Sequence, residues 1–100
     1  PEWRRAFDLV LESYTLQVLP SKDRNPALAK ITEYVAPGGF LIVVARARDE
    51  HDPQGEMPWP LTRTEMDHFK SLGLSEILFE DYVDQESPAI RRFRACYMRP

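Results

Sequence analysis

The run Phe40-Leu41-Ile42-Val43-Val44-Ala45, standing directly behind Pro37-Gly38-Gly39, constrains the fold more than any other part of the chain. It is far shorter than the roughly 20 apolar residues needed to cross a bilayer. It is also too evenly apolar for a strand with one wet face, so it predicts a central strand covered on both sides. Each large side chain fully buried in such a strand contributes roughly 1.5–3 kcal/mol, which makes this segment the organiser of the core. The two glycines before it supply the positive φ that a sharp turn requires.

The flanking segments read as elements that pack around that strand. Phe7-Asp8-Leu9-Val10-Leu11 is a short apolar run suited to a strand buried on both faces, and a turn of helix is expected around Thr15 to Val18. Asn25-Pro26 places an N-cap residue before a proline at the first helical position. Ala27, Leu28, Ile31, Tyr34 and Val35 then recur at helical spacing, and Pro37-Gly38-Gly39 is expected to end that helix. Arg46 to Pro60 is polar and interrupted by Pro53, Gly55, Pro58 and Pro60, so a long loop follows the central strand.

Leu61-Thr62-Arg63-Thr64-Glu65 is a capping box, with Thr62 as cap, Glu65 reaching back and Leu61 able to staple onto Met66. Met66, Phe69 and Leu72 mark the inner face of the second helix, over 64–72, and Gly73 closes it. Leu74 to Val83 reads as a strand with Ile77 and Phe79 facing inward against Glu76 and Glu80. After a turn at Asp84 to Pro88, Arg92 to Met98 alternates again as the last strand. Strand, helix, strand, helix, strand, strand is an α/β order: two strands parallel through a helical crossover, then a C-terminal antiparallel hairpin. Right-handed crossovers are expected to place helices on both sheet faces.

Composition narrows the function classes. With 43% hydrophobic and 29% charged residues in 100, the chain fits one small globular domain, whose modest buried fraction makes partner surface important. A net charge of -3 argues against a nucleic-acid partner. No apolar run is long enough for a membrane span, and Pro1-Glu2-Trp3-Arg4-Arg5 lacks the apolar core of a signal peptide, so no membrane partner is expected. The start at Pro1 suggests a trimmed product, although removal of an initiator Met would also leave Pro1. Cys96 is the lone cysteine and cannot form an internal disulfide; it reads as a reduced, half-buried, inert thiol, pointing to a cytoplasmic compartment. Asp49, Glu50, His51 and Asp52 are consecutive on a loop and are not expected to converge on a metal ion. His68 reads as a surface residue.

Phe7-Asp8-Leu9-Val10, the helix through Leu28 to Ile31, Ala36-Pro37-Gly38-Gly39-Phe40-Leu41 and a closing antiparallel strand together resemble the C-terminal half of class I S-adenosylmethionine-dependent methyltransferases. The resemblance covers nearly the whole chain. It implies a partial Rossmann-like methyltransferase sheet of about four strands in the order first, second, fourth, third, with helices on its faces. It also implies that the N-terminal, cofactor-binding half is absent: Gly38-Gly39 precede a strand, whereas the cofactor-cradling turn follows one. The first strand then becomes an edge, and a homodimer paired through Phe7 to Leu11 is expected.

The activity implied for a full-length protein is methyl transfer from S-adenosylmethionine to a small-molecule acceptor by in-line attack, a reaction that rests on proximity and orientation. The 100 residues alone are expected to be inactive. Ligands of open α/β sheets bind beyond the C-terminal ends of parallel strands, here Glu12 to Gln17 and Arg46 to Asp52. By position in the family, Glu12, Ser13 and Thr15 lie beside the cofactor, and Tyr14 and Gln17 beside the acceptor. Glu12 or Tyr14 is a candidate to assist deprotonation, but nothing in the sequence establishes a general base. The bland alternative for this segment is that it caps a loop.

Arg46 and Arg48 follow the central strand at period two and can point to one side to meet an anionic or polar acceptor; the alternative is a solvated, salt-bridged loop. Trp59 either lids the acceptor pocket or plugs the end of the second helix. From a different class, the chain reads as a non-catalytic α/β interaction or dimerisation module. Half of another Rossmann-like enzyme, such as a dehydrogenase, is weaker because no nucleotide-binding turn is present.

Overall fold

The run behind Pro-Gly-Gly is the inner part of a long strand, and the rest of the sheet is built outward from it. The computed structural model describes residues 3–53, 55 and 57–100. Pro1 and Glu2 of the abrupt start, and Gln54 and Glu56 of the polar loop, lie outside the described residues. Strand β1 (Phe7–Ser13) leads through a single 3-10 turn (Leu16–Val18) to helix α1 (Ser21–Glu33), then β2 (Val35–Arg46), helix α2 (Arg63–Ser71), β3 (Ser75–Val83) and β4 (Arg91–Met98). The sheet order is β1-β2-β4-β3, with β1 parallel to β2 and β4 antiparallel to both of its neighbours. That is the order the family resemblance implied and the hairpin the final turn predicted.

Alternation divides the sheet into two unlike faces. Leu41, Val43 and Ala45 of β2 sit opposite Tyr97, Ala95 and Phe93 of β4 and form one buried cluster with Leu28 of α1 and Met66 and Phe69 of α2. The intervening residues, Phe40, Ile42 and Val44 with Cys96 and Met98, are exposed or half-buried, as are Leu78 of β3 and Leu9 and Leu11 of β1. Leu9 and Leu11 are 61% and 65% exposed. Both helices therefore cover the same face, which corrects the expectations of helices on both faces and of full burial for the first two strands. The steps from β1 to β2 and from β2 to β3 run in one direction across the sheet, and right-handed crossovers that step the same way land on the same side.

Helix α1 starts at Ser21, not after Asn25, and carries Pro26 in its interior. A proline there removes one backbone hydrogen bond, and a buried arginine compensates. Arg24 donates through Nε to the Leu19 carbonyl (3.1 Å) and through its guanidinium nitrogens to the carbonyls of Trp59 and Pro60 and to both carboxylate oxygens of Glu65 (2.9 and 2.8 Å). Tertiary contacts thus hold a turn that local propensity reads as loop.

Pro37-Gly38-Gly39 also behaves differently from expectation: α1 already ends at its cap Tyr34, and β2 runs through the three residues. The register shifts there, from Phe7 opposite Val35 to Leu9 opposite Phe40, so the turn residues form a bulge against β1. A Cβ on Gly39 would lie 2.9 Å from the Ala36 carbonyl oxygen, 3.0 Å from that of Phe7 and 3.1 Å from that of Asp8, so glycine is required by close approach.

The capping box of α2 is present in both directions: the Glu65 N–H donates to Thr62 Oγ1 (3.2 Å) and the Thr62 N–H to Glu65 Oε1 (3.0 Å). Leu61 and Met66 are buried as the staple requires. In β3 a register shift between Glu76 and Leu78 makes Ile77 the extra residue, so it faces out at 54% exposure and corrects the expected inward position. Phe79 does pack inward, 5.0 Å from the Phe93 ring.

Candidate functional site at the strand ends

The parallel pair β1 and β2 delivers two chain segments to one end of the sheet. Ser13 lies opposite Val44, and the Tyr14 N–H donates to the Val44 carbonyl (3.0 Å), which carries the pairing one residue past β1. Tyr14 does this with φ of 66°, in the left-handed region that a bulky side chain rarely adopts. Glu12 turns to the helix-covered face, where it is buried and its Oε1 accepts the Leu16 N–H (3.0 Å). Its carboxylate therefore caps the 3-10 turn.

Gln17 is also buried. Its Oε1 accepts the Arg46 N–H (2.8 Å) and its backbone carbonyl accepts the Trp59 N–H, so one residue ties together the loop after β1, the end of β2 and the segment before α2. Ser13 and Thr15 are exposed, and Thr15 makes no side-chain hydrogen bond to the turn it precedes.

Arg46 and Arg48 are not brought together for one ligand. After Arg46 the chain forms an isolated parallel bridge between Ala47 and Leu61, and Arg48 folds back onto its own loop. It donates to the carbonyls of Pro60 (3.2 Å), Asp52 (2.9 Å) and Asp49 (3.5 Å). Arg46 remains on the open face of the sheet, directly opposite Arg92 of β4. Its Nε is shielded from solvent and has no hydrogen-bond partner. Trp59 is half-buried, and its indole N–H donates to the Gly55 carbonyl (3.1 Å), which ties it to the loop before α2.

Sequence reasoning passed over the charges that surround this end. Arg92 donates from Nε to Asp84 Oδ2 (2.8 Å), and its guanidinium lies 5.1 Å from the centre of the Tyr14 ring. The Ile90 N–H and then Arg92 hold the Asp84 carboxyl below the usual carboxylate range, and the Asp84 hydrogen bond raises Arg92. The period-two recurrence of Arg92 and Arg94 was the available signal, since it puts both on one face. Asp49, His51 and Asp52 bring one ligand atom each within 4.8 Å of one another, closer than expected for a consecutive run. A local turn causes this: Asp52 Oδ2 accepts the Asp49 N–H (3.0 Å), while the Asp49 carboxylate is taken by Arg91 (2.8 Å). His68 is half-buried beside the Ser71 hydroxyl (3.1 Å). At the outer edge of β1, a groove of about 430 Å³ is lined by Trp3, Phe7, Leu9, Val10, Leu11 and Tyr34.

No family model matches the chain. Carboxy-S-adenosyl-L-methionine synthases of Shewanella baltica and Shewanella oneidensis are 35% and 33% identical to it over 69 residues. That match takes in 69% of this chain and 27% of each relative, so the chain spans about a quarter of the curated relatives' length. Among solved structures, the 1,6-didemethyltoxoflavin-N1-methyltransferase of Burkholderia thailandensis superposes with a TM-score of 0.76 at 12% identity, over 96% of this chain and 45% of that one. The N-methyltransferase NodS of Bradyrhizobium japonicum does so with a TM-score of 0.71 at 19% identity, over 94% and 51%. At such identities the likeness establishes the fold.

Proposed function

We propose that this chain, which has the fold of part of an S-adenosylmethionine-dependent methyltransferase domain, is the C-terminal half of that domain and forms part of a protein that methylates a small-molecule acceptor. The observation that carries this reading is the convergence of the Glu12–Gln17 segment and Arg46 at the C-terminal ends of two parallel strands, where open α/β sheets take their ligands. When bound, S-adenosylmethionine supplies an electrophilic methyl group. The residues present fit one wall of such a site: among the described residues nothing hydrogen-bonds the side chains of Ser13, Tyr14, Thr15 and Arg46, and these are the ones that touch ligand. Glu12, Gln17, Arg48 and Trp59 spend theirs on the loops and act by positioning.

The open sheet face and the unpaired edge of β1 suit the remaining, N-terminal half of a methyltransferase domain as their occupant. On this reading the 100 residues by themselves neither bind the cofactor nor transfer a methyl group. Calorimetry with S-adenosylhomocysteine tests it: the protein encoded by the complete gene binds with micromolar affinity and the 100-residue chain does not. Micromolar binding by the chain alone, or none by the encoded protein, overturns the proposal.

Exposed Leu9 and Leu11 beside the edge groove favour one other reading, a non-catalytic module whose copies pair through β1. Sedimentation separates the two, because a stable dimer of the encoded protein that ignores S-adenosylhomocysteine fits only the second.

A further inference from the structure

We infer that Arg46, with Tyr14 and Arg92 around it, forms a binding site for a carboxylate or phosphate group at the open end of the sheet. The site itself stands on geometry. Only the identity of the molecule that brings the anion rests on the methyltransferase reading.

Most arginines of the sheet and helices have partners, although Arg63 keeps one buried nitrogen, Nη1, without an acceptor, and Arg4 and Arg5 ahead of β1 make no side-chain contact to an acceptor among the described residues. Arg24, Arg63, Arg91, Arg92 and Arg94 each have a carboxylate oxygen at 2.7–2.9 Å. Arg48 and Arg99 give their donors to backbone carbonyls. Arg46 has neither kind of partner among the described residues, and its Nε is closed off from water with no acceptor. The shielded Nε is out of reach of solvent and of an incoming anion alike, so the anion would meet this half-buried side chain through its two Nη groups.

Its surroundings add to the imbalance. Arg46 stands directly across the β2–β4 ladder from Arg92, and like charges so placed repel. Asp84 at 2.8 Å and Glu86 at 3.9 Å engage Arg92, and no carboxylate of the described residues does the same for Arg46. The position is also fixed from behind: the Arg46 N–H is held by Gln17 Oε1 and its carbonyl by the Leu61 N–H, both at 2.8 Å. A planar guanidinium presented from a rigid backbone suits bidentate recognition of carboxylate or phosphate.

Tyr14 is an independent observation at the same place. Its left-handed backbone, uncommon for an aromatic residue, is locked by the hydrogen bond to Val44, two residues before Arg46 on β2. Conformations of this kind persist where surrounding structure enforces them, and they gather at ligand sites. The Tyr14 ring packs against the Arg92 guanidinium, leaving both residues at the rim beside Arg46.

The test is titration of inorganic phosphate into the 100-residue chain, followed by nitrogen–proton NMR of the arginine Nε–H groups and of the backbone. Phosphate should shift the Arg46 Nε–H and Tyr14 amide signals saturably. Arg46→Gln should weaken binding at least about tenfold, with Arg46→Lys, which keeps the charge and loses the fork, falling between. Arg94→Gln removes the same charge from the same face and should leave the affinity unchanged. An unsaturable response, an unmoved Arg46 signal, or equal loss in Arg94→Gln overturns the site.

The source of the anion is read separately, in the protein encoded by the complete gene. Loss of S-adenosylhomocysteine affinity in Arg46→Gln assigns the site to the cofactor's own carboxylate, and unchanged affinity assigns it to the acceptor. Absence of any S-adenosylhomocysteine binding sinks the methyltransferase reading and leaves the phosphate result standing.

Discussion

Replacing Arg24 by methionine perturbs the fold at its most exacting polar junction. The side chain is 1% exposed, and its guanidinium joins the start of α1 to the loop before α2 and to the capping residue Glu65. Methionine fills much of the same volume but leaves Glu65 and the Leu19, Trp59 and Pro60 carbonyls without their donor. Removing one member of a buried ion pair costs about 3–5 kcal/mol because the other charge stays behind unpaired. A chain of this length has only about 5–15 kcal/mol in total, so the variant should unfold at a much lower urea concentration with an unchanged slope. Glu65→Gln keeps the capping box, which accepts Gln at that position, and so isolates the charge. In Arg24→Met/Glu65→Gln the loss should be smaller than the sum of the single losses, with a coupling of roughly 1–3 kcal/mol. An Arg24→Met loss below about 1 kcal/mol, in the range of ordinary surface substitutions, or strict additivity in the cycle, would refute the claim that this pair holds α1 in place.

Three further outcomes follow from the packing. Gly39→Ala drives a Cβ against three backbone carbonyls and should cost about 2–3 kcal/mol, whereas Gly38→Ala, at φ of 78° but in open space, should cost about 1 kcal/mol; urea unfolding that ranks them the other way contradicts the bulge assignment. Burial pushes the Tyr97 phenol above its usual 10.0, so its contribution to stability is complete below pH 10.0 and is lost as pH rises from there through the folded value. Tyr97→Phe should flatten the alkaline decline in melting temperature, and an equally steep decline would exclude Tyr97 as its source. If copies of the chain pair through β1, Leu9→Lys/Leu11→Lys should sediment as a monomer at concentrations where the native chain associates, with an unchanged circular dichroism spectrum; persistent association would place the contact elsewhere.

Local patterns made most of the architecture legible. The capping box, Gly73 and the final alternation all lie within a few residues of what they determine, and each reads correctly; the apolar run reads correctly as a strand but not as one buried on both faces. Sequence alone missed what depends on distant partners. Arg24 looks like loop chemistry until the Trp59 and Pro60 carbonyls and Glu65 are brought to it. The bulge at Pro37 to Gly39 and the extra residue at Ile77 are set by opposing strands. One-sided helix cover follows from the direction of successive crossovers, which the element order already contained. The segment after β1 does reach the end of the parallel pair, but which of its side chains are taken up by hydrogen bonds was not readable. Gln17 and Glu12 look as available as Ser13 or Thr15 until their hydrogen bonds are seen.

Hydrogen–deuterium exchange on the protein encoded by the complete gene, with and without S-adenosylhomocysteine, bears on everything proposed for the strand ends. Slowed exchange is expected in the peptide carrying Ser13 to Gln17, against an unchanged peptide over the Phe69 to Gly73 end of α2. A saturating ligand that leaves Ser13 to Gln17 unprotected, or that protects only segments remote from the ends of β1 and β2, would contradict it.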